Sequence, residues 1–525
     1  MEIINTKKKT RYTLTQSIYD SIAGVAGDDS TRNRNHPKSL RVFFATEMWE
    51  RYGFYVIQTL LALYLAKHFN WNDKDIYALV GSFTALTYVS PVLGGWVADK
   101  LLGQKRTIIT GGIILFCCYL LLGFIDSNFA LLCSLAGISV GTGLFKPNIS
   151  SLLGNEYPDD SNQRENGFTI FYMGITLGII FGCTFPNQLT FYFGWPVSFI
   201  SAAIGMLLGL LVFVLGIIKY QIKDYAVYEY SFKNILLAVL IVMVLWLASF
   251  FILTYTTLAN FAFTGIVLLS AGYFAYTIKE QSSYDARKTI VISLLCIISI
   301  IFWAFYFQMF LSFTLFIARV VKQDLFGLHF PPPYYVSIQS FGAIVFGLYL
   351  SRRKYNTVTQ HAGIQSANKF LLSMCFMTAA FLSLTFICKT SENDQLLSPL
   401  LFIPIYLMIS LAELLLYPIG LSIVTVLAPR KKVSTMTGIF FVSLGVGGFL
   451  AGKLAELAAV PHQELSLPVL KAYYASGFST ITCLLIAALF ISFILNRLIK
   501  RLLSNAPAEY KNTGDHFAQS QIEPC

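Results

Sequence analysis

Charge is scarce in this chain. Asp, Glu, Lys and Arg make up 12% of 525 residues, against 56% hydrophobic, and so small a polar share cannot coat a soluble surface. An ordinary soluble globular protein is therefore excluded. Histidine is scarcer still: there are six, and His36, His68, His329, His361, His462 and His516 all fall in loops, tails or span ends on the segmentation given below. The nine cysteines include no CxxC pair and no metal-type spacing, so no redox motif or metal site is read from them. No HExxH helix or buried His/Asp pair is present to serve an intramembrane enzyme, and the chain is not read as one. The N-terminal tail has no apolar segment followed by a small-residue cleavage site, so insertion by the first helix itself is expected.

What the chain has in abundance is apolar runs long enough to cross a hydrocarbon core, for which about 20 residues suffice. Six are predicted from Leu40 to Ala66, Ile76 to Ala98, Thr107 to Ile125, Ala130 to Leu153, Gly167 to Leu189 and Pro196 to Ile218. Six more run from Ile290 to Ala318, Tyr334 to Leu350, Lys369 to Cys388, Pro399 to Leu427, Met436 to Leu457 and Ala472 to Ile499. Between the two sets lie Ile235 to Leu253 and Phe261 to Ile278, joined by a polar turn. The expectation is an all-α polytopic membrane protein of 14 spans, two six-helix halves with an inserted two-helix hairpin. The predicted domains are a basic tail over residues 1–39, a bundle over 40–218, a linker with the extra hairpin over 219–289, a second bundle over 290–500 and a tail over 501–525. Both tails are polar, without apolar periodicity, and are expected to be mostly disordered.

The formal net charge is +11, which in a soluble protein would suggest nucleic acid. Here the basic residues fall between hydrophobic runs on alternate connections, so topology explains them and no nucleic-acid partner is expected. Lys7, Lys8, Lys9, Arg11, Arg32, Arg34, Lys38 and Arg41 precede or open the first span, and Arg352, Arg353, Lys354, Arg430, Lys431 and Lys432 mark later loops. By the positive-inside rule both termini are expected in the cytoplasm.

Against that background a few charges sit where they are costly. The first span contains EMWER, Glu47 to Arg51, some two turns inside an apolar helix, with Glu47 three residues from Glu50 and four from Arg51. Charges at membrane depth face a cavity or each other, and a carboxylate beside a guanidinium stays ionised until another anion competes for the Arg, which suits proton coupling. The alternative is a helix end whose charges snorkel to water. Lys146, in GTGLFKPNIS, follows Gly141 and Gly143, which give a smooth packing face; as a lone lysine it too can snorkel. Glu413, in AELLLYPIGLS, lies mid-helix with no basic neighbour in sequence, so its partner must be a substrate, water or another helix. Arg51 and Lys146 on one wall and Glu413 on the other would suit a zwitterion such as a short peptide. The segment GGWVADKLLGQKR joins the second and third spans: Gly95 and Gly103 are read as permitting tight turning and close helix approach, Asp99 as a helix cap, and Lys105 and Arg106 as holding the loop at the cytoplasmic face. A plain basic inside loop is the alternative.

That loop resembles the signature loop of the major facilitator superfamily. Taken with EMWERYGFY (Glu47 to Tyr55), GTGLFKPN (Gly141 to Asn148), FTIFYMGITLG (Phe168 to Gly178), FYFQMFLS (Phe305 to Ser312) and AELLLYPIGLSIVTVLAP (Ala412 to Pro429), the chain resembles the proton-dependent oligopeptide transporter family, also called the POT or PTR family. The resemblance spans most of the chain. It implies the major facilitator fold, with 12 core helices, and alternating access driven by the proton gradient without a cofactor. Glu47, Glu50 and Arg51 match the family's ExxER proton-coupling motif, Lys146 its fourth-helix lysine, and Glu413 the tenth-helix glutamate that meets a peptide amino group. Arg51, Lys146, Tyr55, Tyr88, Thr176, Gln308, Ser312 and Glu413 are the implied substrate contacts, Gln308 and Ser312 as a polar seventh-helix patch. The hairpin and Gln58 resemble the bacterial branch.

There are departures. Thr176 and Gly342 stand where the family has asparagines, Phe307 where some members have a glutamate, Phe440 for a common Trp and Ala412 for Gly. The expected function is proton-coupled import of di- and tripeptides through the bacterial inner membrane, a monomer sufficing. The departures keep open a modified peptide or peptide-like metabolite, imported or exported. A non-transporting nutrient sensor is disfavoured, since the coupling residues are present and no signalling domain is added.

Overall fold

The computed structural model describes residues 36–125, 127–157, 162–224, 231–351, 362–390, 394–429, 432–461 and 465–504. Expectations for both tails up to residue 35 and beyond 504, for the basic loop residues Arg352, Arg353, Lys354, Arg430 and Lys431, and for His361, His462 and His516 lie outside the described residues.

Apolar runs without polar punctuation fold as helices, because only a helix satisfies its own backbone within a bilayer. The first six are α1 (Leu40–Lys67), α2 (Asp73–Val97), α3 (Gln104–Leu122), α4 (Asn128–Gly154), α5 (Asn162–Phe193) and α6 (Trp195–Tyr220). The hairpin is α7 (Phe232–Thr254) and α8 (Thr256–Glu280). Its turn is Tyr255 alone, where a longer polar turn is predicted. Then follow α9 (Ser283–Tyr306) and α10 (Ser312–Val320), α11 (Pro333–Ser351), α12 (Ala362–Thr390), α13 (Ile403–Leu427), α14 (Val433–Ala455) and α15 (Leu467–Ser504). A two-stranded ribbon, β1 (Asp324–Leu325) and β2 (Leu328–His329), turns through Phe326 and Gly327 at φ 55° and 80° between α10 and α11.

Fourteen spans result, with α9 and α10 forming one. Twelve are long and apolar enough to cross a membrane on length and composition. The other two, α1 and α11, carry Glu47, Glu50, Arg51 and Gln58, and Ser337, Gln339 and Ser340, all buried. Their polarity is spent inside the molecule.

The seventh core span is predicted continuous and is broken. A 3-10 turn, Phe307–Phe310, separates α9 from α10. The Gln308 amide crosses to the Ala451 carbonyl of α14 at 2.8 Å, and the Met309 carbonyl freed by the break accepts the Thr314 hydroxyl at 2.7 Å.

Within the first six helices, α1 packs on α5 and α6, and α4 on α2 and α3; in the second six, α13 packs on α11 and α12, and α9 on α14. The two groups meet where α2 lies on α14 and α5 on α11. Small residues make these crossings: a β-carbon on Gly81 of α2 would lie 2.8 Å from the Gly452 Cα of α14. The hairpin holds both groups. Trp246 of α7 donates its indole N–H to the Cys133 carbonyl of α4 at 2.9 Å, while Phe263 of α8 stacks on Phe449 of α14 with centroids 4.6 Å apart. At the other end of α8, Lys432 pairs with Glu280 at 2.7 Å.

The loop after α2 departs from expectation at two residues. Close approach falls to Gly94, whose β-carbon would lie 2.0 Å from the Gly143 carbonyl oxygen of α4, whereas Gly95 has nothing within 4 Å. Asp99 caps no helix: α2 runs through it into a π-helical turn, Ala98–Leu102, which leaves Asp99 exposed. The first amides of α3 go instead to Asp224, from Gln104 N at 3.0 Å and Lys105 N at 3.2 Å. Gly103, at φ 79°, makes the reversal. Lys105 is partly buried and Arg106 is exposed.

Gly94→Ala is expected to cost about 1–3 kcal/mol by overpacking against α4, read as a lower melting temperature of the purified protein, while Gly95→Ala melts like wild type. Equal melting of the two variants would contradict the assignment.

Candidate functional site

The ExxER charges of α1 are buried: Glu47 is 1% exposed, Glu50 0% and Arg51 4%. They satisfy one another. Arg51 chelates Glu50 through Nε–Oε2 at 2.5 Å and Nη2–Oε1 at 2.7 Å, and its Nε lies 3.3 Å from Glu47 Oε1. Glu47 Oε2 has no hydrogen-bond partner among the described residues. Glu50 is thus locked by two bonds, and Glu47 keeps an open oxygen.

This helix is held from behind by glycine. A β-carbon at Gly178 of α5 would lie 2.3 Å from the Met48 carbonyl oxygen and 2.8 Å from Arg51 Cβ. Any other residue would push the charged turn away from α5.

Lys146 of α4 comes within electrostatic reach of Glu47 and Glu50, and its ammonium stands 4.8 Å from the centroid of the Tyr88 ring. Tyr88 in turn lies 5.6 Å from Phe307, and Tyr55 lies 6.3 Å from Phe310. Both contacts join the two helix groups.

Across the cavity Glu413 of α13 accepts a hydrogen bond from Gln339 Nε2 of α11 at 2.5 Å and another from the Tyr306 hydroxyl of α9. Its partners are other helices, one of the three options open from sequence. Tyr172 and Tyr417 also stand within electrostatic reach of Glu413. The carboxylate is surrounded by hydroxyl and amide groups and has no ion pair among the described residues. The first group therefore presents two cations balanced by two carboxylates and the second a lone carboxylate, with Tyr55 and Tyr88 in electrostatic reach of both Arg51 and Glu413.

Not all the expected contacts arrive there. Gln308 and Ser312 are 0% exposed, with Gln308 Nε2 donating to Ala304 and Ala451 carbonyls and Ser312 Oγ to Gln308 Oε1 at 2.6 Å. They stabilise the break in the seventh span and do not line the cavity. Thr176 is buried, its hydroxyl donating to the Tyr172 carbonyl at 3.1 Å. Gly342 faces Leu407 and Ser410 of α13, where its β-carbon would lie 2.8 Å from a Leu407 methyl. The polar position of α11 is Gln339.

Gln339, Tyr306, Tyr172 and Tyr417 escape the sequence reading. A signal existed for Tyr417, four residues after Glu413 and so on the same helix face. The string Gly137-Ile-Ser-Val-Gly141 has the spacing of a hydrolase nucleophile elbow but lies in mid-α4, where Ser139 donates to the Leu135 carbonyl at 3.0 Å.

One end of the cavity is shut. Arg319 of α10 forms a bidentate pair with Asp73 at the start of α2, both contacts at 2.7 Å, and Asp73 Oδ2 also accepts Val460 N at 3.0 Å. Arg319 donates as well to the Tyr474 hydroxyl at 2.9 Å. The opposite end bears the 94–106 loop.

Two six-helix groups with buried charges between them, joined at one end by an ion pair, define a membrane transporter of the major facilitator architecture. The POT family model, PTR2, matches residues 105–497. Dipeptide and tripeptide permease A of Edwardsiella piscicida is 30% identical over 440 residues, 82% of this chain and 88% of that protein. Its counterpart in Cronobacter turicensis is 31% identical over 432 residues, 81% and 85% of the two chains. A crystal structure of tetrameric PepTSo2 superposes with a TM-score of 0.77 at 26% identity, covering 88% of this chain and 99% of that one. The chain belongs to the POT family.

Gln308→Leu is expected to lower thermal stability by about 1–3 kcal/mol, because it strips the Ala451 carbonyl and the Ser312 hydroxyl of a buried partner. The folded fraction should keep its substrate preference, whereas Gln339→Leu should change preference at near-normal stability. A Gln308→Leu variant with wild-type melting and altered preference would reverse the assignment.

Proposed function

We propose that this protein is a proton-coupled symporter importing di- and tripeptides by alternating access, with the proton gradient as its driving force and no cofactor. The observation that carries the reading is the arrangement of charge: Arg51 and Lys146 face Glu413 across one cavity, and a short peptide presents a carboxylate and an ammonium to match. Relatives named as dipeptide and tripeptide permeases support the cargo.

In this reading Glu50 holds Arg51 until substrate arrives, and Glu47, through its open oxygen, takes the proton. A peptide carboxylate drawn to Arg51 and Lys146 competes with both carboxylates for the guanidinium, and the weaker hold of Arg51 on Glu47 is what favours its protonation. Proton and peptide occupancy are thereby linked. At the other pole the peptide ammonium displaces the Gln339 amide, a neutral donor, from Glu413, exchanging one hydrogen bond for a charge-assisted one. Substrate contacts are Arg51, Tyr55, Tyr88, Lys146 and Glu413.

The Asp73–Arg319 pair is read as the latch of the far end, released as the helix groups rock about α2–α14 and α5–α11. Positive residues concentrate at the end bearing the 94–106 loop, which supports cytoplasmic termini in a bacterial inner membrane, and with the far end latched the cavity is read as facing inward. Thr176, with its hydroxyl committed to its own helix, favours as a second reading a cargo whose backbone is modified. A panel of simple dipeptides that all fail to compete would support that cargo.

In proteoliposomes with an inward proton gradient, wild-type protein is expected to accumulate a dipeptide and Glu50→Gln to lose accumulation by tenfold or more, roughly 1.4 kcal/mol of coupling. Undiminished accumulation by Glu50→Gln, or none by wild type, would sink the proposal.

With spin labels at the exposed positions 70 and 326, Asp73→Ala is expected to add a longer-distance population, since removing one partner of a buried pair costs about 3–5 kcal/mol in the closed state. An unchanged distance distribution would show that the pair is no latch.

A further inference from the structure

A cleft of about 480 Å³ lies away from the transport cavity, at the latched end, enclosed by α2, α4 and the tip of the α7–α8 hairpin. That volume falls within the usual range of small-molecule sites, about 300–1,000 Å³. At its mouth stand Asn70, Asn128 and Asp75, and its floor is Leu132, Ile252 and Leu253. Asp75 accepts Asn72 Nδ2 at 2.5 Å on one carboxylate oxygen but makes no ion pair among the described residues. A small adjoining recess shares Ser82 and reaches Phe449 and Lys453 of α14. Ser82 is 3% exposed and lines both spaces.

A carboxylate without an ion pair among the described residues, two side-chain amides and the Ser82 side chain beside an apolar floor describe a site for an amphipathic cation. Its position selects the source. The cleft lies where α7 ends and α8 begins, at the tip of a membrane-length hairpin, and that hairpin turns bare apolar faces outward, with Leu247 57% and Leu269 76% exposed. A phospholipid reaches such a site from the bilayer without crossing water.

We propose that this cleft binds the primary-ammonium headgroup of a membrane phospholipid, and that occupancy favours the state in which α2 and α14 are closed at this end. The ammonium donates to the Asp75 carboxylate and an Asn128 or Asn70 amide oxygen, and the lipid's first apolar carbons lie on Leu132, Ile252 and Leu253. Because the cleft and its recess are lined by both α2 and α14, separating those helices at the latched end dismantles the site; a ligand bound there opposes that separation by its binding free energy. Only this last effect rests on the alternating-access reading.

The test compares purified protein in nanodiscs of phosphatidylcholine with and without phosphatidylethanolamine, a pair that differs in the ammonium N–H donors. Wild type is expected to melt at least about 2 °C higher with the ethanolamine lipid, and native mass spectrometry to show that lipid retained. Asp75→Asn and Ser82→Leu, which remove the charge and fill the cleft, should melt like wild type in phosphatidylcholine and lose the shift. A wild type without the shift, or an Asp75→Asn variant that keeps it, overturns the proposal. An equal shift from soluble O-phosphoethanolamine in phosphatidylcholine discs overturns the lipid assignment. Melting and lipid retention need no transport, so failure here is distinct from failure of the symporter reading.

Discussion

A guanidinium inside a membrane helix is the constraint on which the rest of the site depends. Arg51 cannot lie in hydrocarbon alone, and α1 places Glu50 beside it and Glu47 one turn earlier, so that three charges share one buried network. Such a network tolerates little slack. Gly178 brings the α5 backbone against the turn that bears Arg51, and the buried tyrosines and glycines around α1 leave no space for lipid. α1 is more polar than most of the other spans as a result, and α11, which supplies Gln339 to Glu413 of α13, likewise keeps its polar side chains buried.

Much of this was legible in sequence. Fourteen spans, the hairpin and the charged turn of α1 follow from apolar runs and from the rarity of charge within them. The side on which a residue faces was less legible. Gln308 and Ser312 are substrate contacts only by family resemblance, but at a helix break Gln308 turns into the contact with α14 and takes Ser312 as a partner, and nothing in local periodicity announces a break without Pro or Gly. Gly94 and Gly95 are adjacent and chemically equal. Which one meets α4 depends on the crossing of α2 and α4, a tertiary fact. Asp224 illustrates the same limit, since it caps a helix that begins 120 residues earlier in the chain. Gln339 is separated from Glu413 by 74 residues, so its role too is set by helix packing.

The two helix groups are held together by two kinds of contact, and this bears on how the halves can move. At the latched end, Asp73 draws donors from α10 and from the segment after α14, a polar contact that water can replace once the helices part. Along α2 and α14 the contact is backbone against backbone through Gly81 and Gly452, which is nondirectional and tolerates rolling. A directional lock at the rim and a smooth bearing beneath it allow rotation without tearing the core. The hairpin, anchored to α4 by Trp246 and to α14 by Phe263, must flex as that rotation occurs, and its single-residue turn at Tyr255 concentrates the bending next to the cleft lined by Ser82.

The break in the seventh span ties the lock to the cavity. α9 carries Tyr306, which bonds Glu413, and α10 carries Arg319, which bonds Asp73; Phe307 and Phe310 between them touch Tyr88 and Tyr55. A straight helix would transmit any displacement at one end rigidly to the other. With the 3-10 turn pinned to the Ala451 carbonyl by Gln308, the junction of α9 and α10 is fixed to α14 one residue from Gly452, where α2 crosses. The aromatic contacts of Tyr88 and Tyr55 therefore fall on the one segment that joins the Glu413 donor Tyr306 to the Asp73 partner Arg319. Gln308 holds that segment in place although it does not line the cavity.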